Sequence, residues 1–232
     1  MALVTPETKL CEVILDEPSV IPVINRFDIT LGVGDKSVKS ICEKNDIDIN
    51  FFLTILNAYI HESFFPEKSF DSFGAQEVID YLRKTNNYYL QSQLPNIERH
   101  FMALIGHSDK NNNLPLLLNL YNEVKAEIVN RIENDNNRWF DEIIKMEKAV
   151  NTEAIAIDPQ ATSSASDSIE DKLSDLKNMF VIHLRGEYDR NLCHAVLFAI
   201  ISLEKDIRQN NRIRNRILYP LAEALRKASE NN

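Results

Sequence analysis

His183 and Glu187 stand four residues apart. On a helix that spacing puts an imidazole and a carboxylate on one face, where both can ligate a metal. Gly186 lies between them and is expected to end the helix, and a metal needs further converging ligands. The other histidines, His61, His100, His107 and His194, are scattered. Arg131 and Asp135 also stand four apart and can pair across one helical turn. Arg208, Arg212, Arg214 and Arg216 form a basic run, which reads as a phosphate-binding face or, more ordinarily, a solvated one. Cys193 falls near the start of a helical pattern, and a helix N-terminus lowers a thiol pKa. That makes Cys193 a candidate reactive thiol, with a buried structural thiol as the competing reading. Gly32-Val33-Gly34 is too short for a phosphate loop. No Ser-His-Asp or Cys-His arrangement can be argued.

The chain as a whole is acidic, with a net charge of −9, so it gains nothing from phosphate attraction. This disfavours nucleic-acid binding. No apolar run reaches the roughly 18 residues of a membrane span. Met1 to Leu15 has no basic stretch followed by an apolar one, so no signal peptide is expected. Cys11, Cys42 and Cys193 are far apart and odd in number, which fits reduced thiols in a cytoplasmic protein. Only 5 Gly and 8 Pro serve the whole chain, which leans the fold towards helices.

The elements that must position these residues follow from spacing. Residues 1–66 read as a small helical domain. A helix from Ser19 or Pro18 carries Val20, Val23, Ile24 and Phe27. Leu31 to Asp35 is a turn, and Asp35 or Ser37 caps a helix with Val38, Ile41 and Cys42. Asn50 caps a third helix, with Phe51, Phe52, Ile55, Leu56 and Tyr59 on one face. Those aromatics, with Phe64 and Phe65, are read as core packing, with a partner-binding surface as the alternative. Residues 67–74 form a linker. Four long amphipathic segments follow within 75–228: Ala75 to Ile105, Leu114 to Ala149, Ser168 to Leu184, and Asn191 to Lys227. Pro95 and Pro220 predict local kinks. Residues 151–167, rich in Ala, Ser and Thr, predict a long mobile loop. Four helices of this size form a bundle more readily than anything else.

Particular stretches carry a resemblance. Tyr88-Tyr89-Leu90 with Gln93-Leu94-Pro95 lies on the first long helix. Cys193, Glu204-x-Asp206-Ile207 and Ile217-Leu218-Tyr219-Pro220 lie on the fourth. With them the chain resembles the repair-of-iron-centres family, hemerythrin-like di-iron proteins of the nitrosative and oxidative stress response. The resemblance implies an all-α fold: a hemerythrin-like four-helix bundle behind a small N-terminal helical domain. In the family the helices supply a His, a His-x-x-x-Glu, a His and a second His-x-x-x-Glu. Those positions map here to Asn86, to Arg131 and Asp135, to Ser166, and to Asn210 and Arg214. Only Asp135 keeps a carboxylate, and Arg cannot ligate a cation. The family's paired cysteines are also gone from the turn at Gly32 to Lys36.

The resemblance therefore implies a degenerate member with no cofactor and no catalytic residue. It would be a regulatory or interaction protein with an unknown protein partner, a second copy of itself being one candidate. The alternative is an iron-centre repair protein that holds metal through residues not yet placed. Three fates remain for the altered positions. Arg131, Asp135 and Arg214 form a paired substitute core, the arginines reach solvent, or they bind a small anion.

Overall fold

Ser37 starts a helix by accepting from the backbone N–H of Ser40 at 3.2 Å. Asp48 starts the next in the same way, accepting from Phe51 at 2.7 Å. The cap is thus Asp48 and not Asn50, which lies inside the helix. A carboxylate caps well and also favours the positive end of the helix dipole. The computed structural model describes residues 2–64, 73–150 and 168–230. The predicted loop 151–167, Ser166 within it, and most of the predicted linker lie outside the described residues.

The helices are α1 (Leu10–Asp16), α2 (Ile21–Arg26), α3 (Val38–Lys44), α4 (Ile49–Ile60), α5 (Ala75–Tyr88), α6 (Leu94–Gly106), α7 (Leu114–Asn134), α8 (Phe140–Ala149), α9 (Ser168–His183), α10 (Arg190–Ile213) and α11 (Tyr219–Glu230). The fold is all-α: among the described residues, extended pairing is confined to one isolated bridge, Lys9 with Ser37. None of these helices is long and apolar enough to cross a membrane. The single helix predicted from Ser19 to Phe27 is instead a 3-10 turn, Pro18–Val20, followed by α2. Pro22 lacks an N–H, so it is accommodated in the first turn of α2.

Among the described residues, three π-helical turns interrupt the long helices: Tyr89–Gln93, Asp135–Trp139 and Arg214–Leu218. Two of them stand where Pro95 and Pro220 predict kinks. Leu94 N–H reaches back five residues to Tyr89 O, and Tyr219 N–H to Arg214 O. A proline ring clashes with the carbonyl four residues before it. Widening the turn just ahead of the proline shifts that carbonyl, and the α-helix resumes beyond it. The third turn has no proline and was not expected.

The chain divides into two compact units. Unit one takes in the described residues among Met1–Lys84, Phe140–Ser164 and Gln209–Asn232. Unit two takes in those among Thr85–Trp139 and Ala165–Arg208.

In unit one, Phe27 packs edge-on against Phe51 and Phe52, with ring centroids 5.7 and 4.9 Å away. The Asn57 side chain holds the N-terminal segment as a strand would. It accepts from Val4 N–H at 2.8 Å and donates to Val4 O at 2.9 Å. Helices α8 and α11 pack together. The carboxylate of Glu147 on α8 accepts from the N–H groups of Ala75 and Gln76 and so caps α5.

In unit two, α6, α7, α9 and the first part of α10 surround one core. It includes Ile97, Phe101, Leu117, Tyr121, Ile128, Leu173, Leu176 and Ile200. Phe101 stacks on Tyr121 at 5.4 Å, and the buried Tyr121 hydroxyl donates to Leu94 O at 2.7 Å. A buried phenol needs such an acceptor.

Candidate functional site

In unit two, Asn86 sits near the end of α5 and is 7% exposed. Its amide donates to Asn136 Oδ1 at 3.1 Å. Asn136 is the second residue of the π turn that begins at Asp135, itself 2% exposed. Asp135 N–H is shared between the carbonyls of Arg131 and Ile132, and Arg131 is half-buried one turn earlier. The structure therefore brings the first mapped position beside the stretch that carries the second and third. Asn136 was not among the residues singled out from sequence. Its pairing with Asn86 depends on that π turn, which has no proline to announce it in the sequence.

In unit one, Asn210 is 3% exposed, and Arg214, half-buried, opens the third π turn. Around them the basic run takes on structural roles. Gln209 Nε2 and Arg212 Nη2 donate to Tyr59 O, at 3.0 and 3.5 Å, and Arg216 donates to Glu62 O. These carbonyls close the C-terminal end of α4, where orphan acceptors and the negative end of the dipole favour cationic donors. In unit two, Arg208 is paired with Glu204 at 3.1 Å and Glu170 at 3.3 Å. Three arginines of the run, Arg208, Arg212 and Arg216, are thus engaged with acceptors of the protein itself.

Helix α9 ends at His183, and Gly186 has a φ of 85°. Only glycine fits there, because a Cβ would lie 2.8 Å from the Cα of Asn112. Glu187 is thus off the helix that carries His183, and the metal-like spacing has no helix to act on. Asn113 ties the two loops together, donating to His183 O at 2.9 Å and accepting from Arg185 N–H at 2.8 Å.

A di-iron centre needs imidazole and bridging carboxylate donors. The described mapped positions offer two amides, two guanidiniums and one carboxylate, a donor set that does not fit. Among the described residues, no three His, Cys, Asp or Glu side chains converge as ligands.

One carboxylate is prominent in unit two. Glu204 on α10, 4% exposed, receives Lys177 Nζ on both oxygens at 2.9 and 2.6 Å, and Arg208 Nη2 on one. Two cations compensate its burial and tie α9 to α10.

The thiols divide by environment. Cys193 lies in the first turn of α10 but is 5% exposed, and burial pushes its pKa up. Desolvation outweighs the helix terminus, which favours the buried structural thiol over the reactive one. Burial, with Asp48 and Glu43 nearby, pushes Cys42 up to about 11. Cys11 is only half-buried. It reaches the Gly32–Asp35 turn from α1, with Sγ 3.9 Å from Asp35 Oδ1, in a groove also lined by Ile14, Leu15 and Leu31. The pairing of Leu10 N–H with Lys36 O and of Val38 N–H with Thr8 O sets that register. A thiol thus stands beside the turn whose own positions carry none.

No family model, no curated protein and no solved structure matches this chain.

Proposed function

We propose that this chain is a non-catalytic regulatory or interaction protein. Its frame is that of a hemerythrin-like four-helix bundle with a small N-terminal helical domain, derived from a di-iron stress-response protein. The observation that carries this reading is the burial of Asn86, Asp135 and Asn210. Three positions mapped to iron ligands are interior and polar, and one of them, Asn86, hydrogen-bonds internally to Asn136. The π turns support it further: Asp135 and Arg214 each open one, and Asn86 lies just ahead of another. Such turns recur at functional sites in helices, and here they persist where the ligands do not.

Iron content tests the proposal. Protein purified from iron-supplied cells is expected to be colourless, with no stoichiometric iron. Two tightly held irons per chain, with an oxo-bridge absorption band, would overturn it in favour of an iron protein whose ligands lie elsewhere.

A further inference from the structure

In unit one, the last turn of α4 and its exit, residues 59–62, face the end of α10 and the π turn that follows it. Gln209, Arg212 and Arg216 stand at steps of three and four, and each donates to a carbonyl of that stretch. Gln209 and Arg212 meet at Tyr59 O, and Arg216 reaches Glu62 O. His61 lies between the two accepting residues.

Three side chains here keep hydrogen-bonding capacity that the protein does not use. Gln209 is 5% exposed, and its Oε1 is buried without a donor. Turning the amide over does not help, because its oxygen would then face the carbonyl of Tyr59. His61 Nε2 is likewise buried without a partner. A guanidinium has several N–H donors, and Arg216 spends one on Glu62 O and, among the described residues, meets no carboxylate. Buried polar atoms in folded proteins are nearly always satisfied. An acceptor and a ring nitrogen left over beside cationic donors mark the place of a bound molecule.

The chemistry of these groups selects that molecule. The guanidiniums of Arg212 and Arg216 call for negative charge, and their planar forks suit oxyanions. His61 adds a donor in the tautomer that carries its proton on Nε2. Gln209 Oε1 can only accept, so the ligand must also offer an O–H. Water offers the O–H without the charge, and sulfate the charge without the O–H. Hydrogen phosphate carries both on one small centre. We infer that the end of α4 binds inorganic hydrogen phosphate. Arg212, Arg216 and His61 Nε2 hold its charged oxygens, and Gln209 Oε1 accepts from its P–OH. A phosphomonoester loses its last proton at a pH of about 6, so above neutral pH it lacks the O–H that Gln209 requires. None of the positions mapped to iron ligands takes part.

Titration calorimetry of the full chain at about pH 8 tests this with sodium phosphate, sodium sulfate, phenyl phosphate and lactate. The wild type is expected to bind one inorganic phosphate per chain, and each of the other three at least about tenfold more weakly. Gln209→Leu should bind phosphate and sulfate alike, because it removes the acceptor that tells them apart. Arg216→Ala should lower phosphate affinity by about tenfold or more, with an unchanged far-ultraviolet circular dichroism spectrum. No saturable binding of phosphate by the wild type up to about 10 mM would overturn the inference. So would sulfate, phenyl phosphate or lactate binding as tightly as phosphate, or a folded Arg216→Ala that binds phosphate as the wild type does.

Discussion

Lys177 donates to both carboxylate oxygens of Glu204, across α9 and α10, and Glu204 is all but removed from solvent. Removing one partner exposes the asymmetry of such pairs. Glu204→Ala leaves the Lys177 ammonium without its acceptor, and destabilisation of about 2–3 kcal/mol is expected. Lys177→Met should cost less, about 1 kcal/mol, because Arg208 still holds the carboxylate. Urea denaturation of both variants measures this. Equal, negligible effects would place Glu204 in water.

The three thiols should react at different rates with Ellman's reagent. Cys11 is half-buried at the rim of its groove, whereas Cys42 and Cys193 are buried with raised pKa values. One thiol per native chain is expected to react quickly, and the other two only after unfolding. Loss of the fast phase in Cys11→Ser would identify it.

Alkaline pH should destabilise the fold. The Cys42 thiol is held at about 11 against an ordinary 9.0, and burial also raises Cys193 and Tyr121. Between those two values the unfolded chain loses the Cys42 proton while the native chain keeps it. The stabilisation is therefore full below about pH 9 and is lost as pH rises towards about 11. A fall on the order of 2 kcal/mol is expected for this thiol alone. Thermal midpoints from pH 8 to 11 should fall, and less steeply in Cys42→Ala.

A π turn holds one residue more than the α-helix it interrupts. Asn137 is exposed within the turn Asp135–Trp139. A chain lacking Asn137 should regularise that helix and remain folded, since the buried Asp135 and Phe140 positions would then stand at ordinary helical spacing. A chain lacking Asn130, exposed within regular α7, should lose its native structure, because every later side chain turns by about 100°. Circular dichroism and thermal melts separate the two outcomes.

Periodicity located most of the helices, because apolar residues at steps of three and four leave little choice of buried face. Ser37 as a cap and the turn with Gly32 and Gly34 were equally readable. Other features depend on groups distant in sequence. Glu147 caps α5 from α8, and Arg212 and Arg216 donate to carbonyls at the end of α4. Periodicity carries no trace of either. For Cys193 the sequence left a reactive and a buried thiol open: a helix terminus is visible in sequence, whereas the depth of burial that decides between the two is not. Asp135 was singled out as a ligand position. Its hydrogen-bonding neighbourhood depends on a π turn without a proline to announce it.

The make-up of the two units bears on how the chain folds as it is synthesised. Unit two ends at Arg208, whereas unit one opens the sequence yet also includes Gln209 onward. An emerging chain therefore presents the whole of the second unit before the first is complete. Helices α1 to α4 must wait for the later stretch that begins at Gln209. Until Gln209, Arg212 and Arg216 arrive, the carbonyls at the end of α4 lack their final donors. Emergence of the stretch from Gln209 onward is then the step that lets α1 to α4 settle.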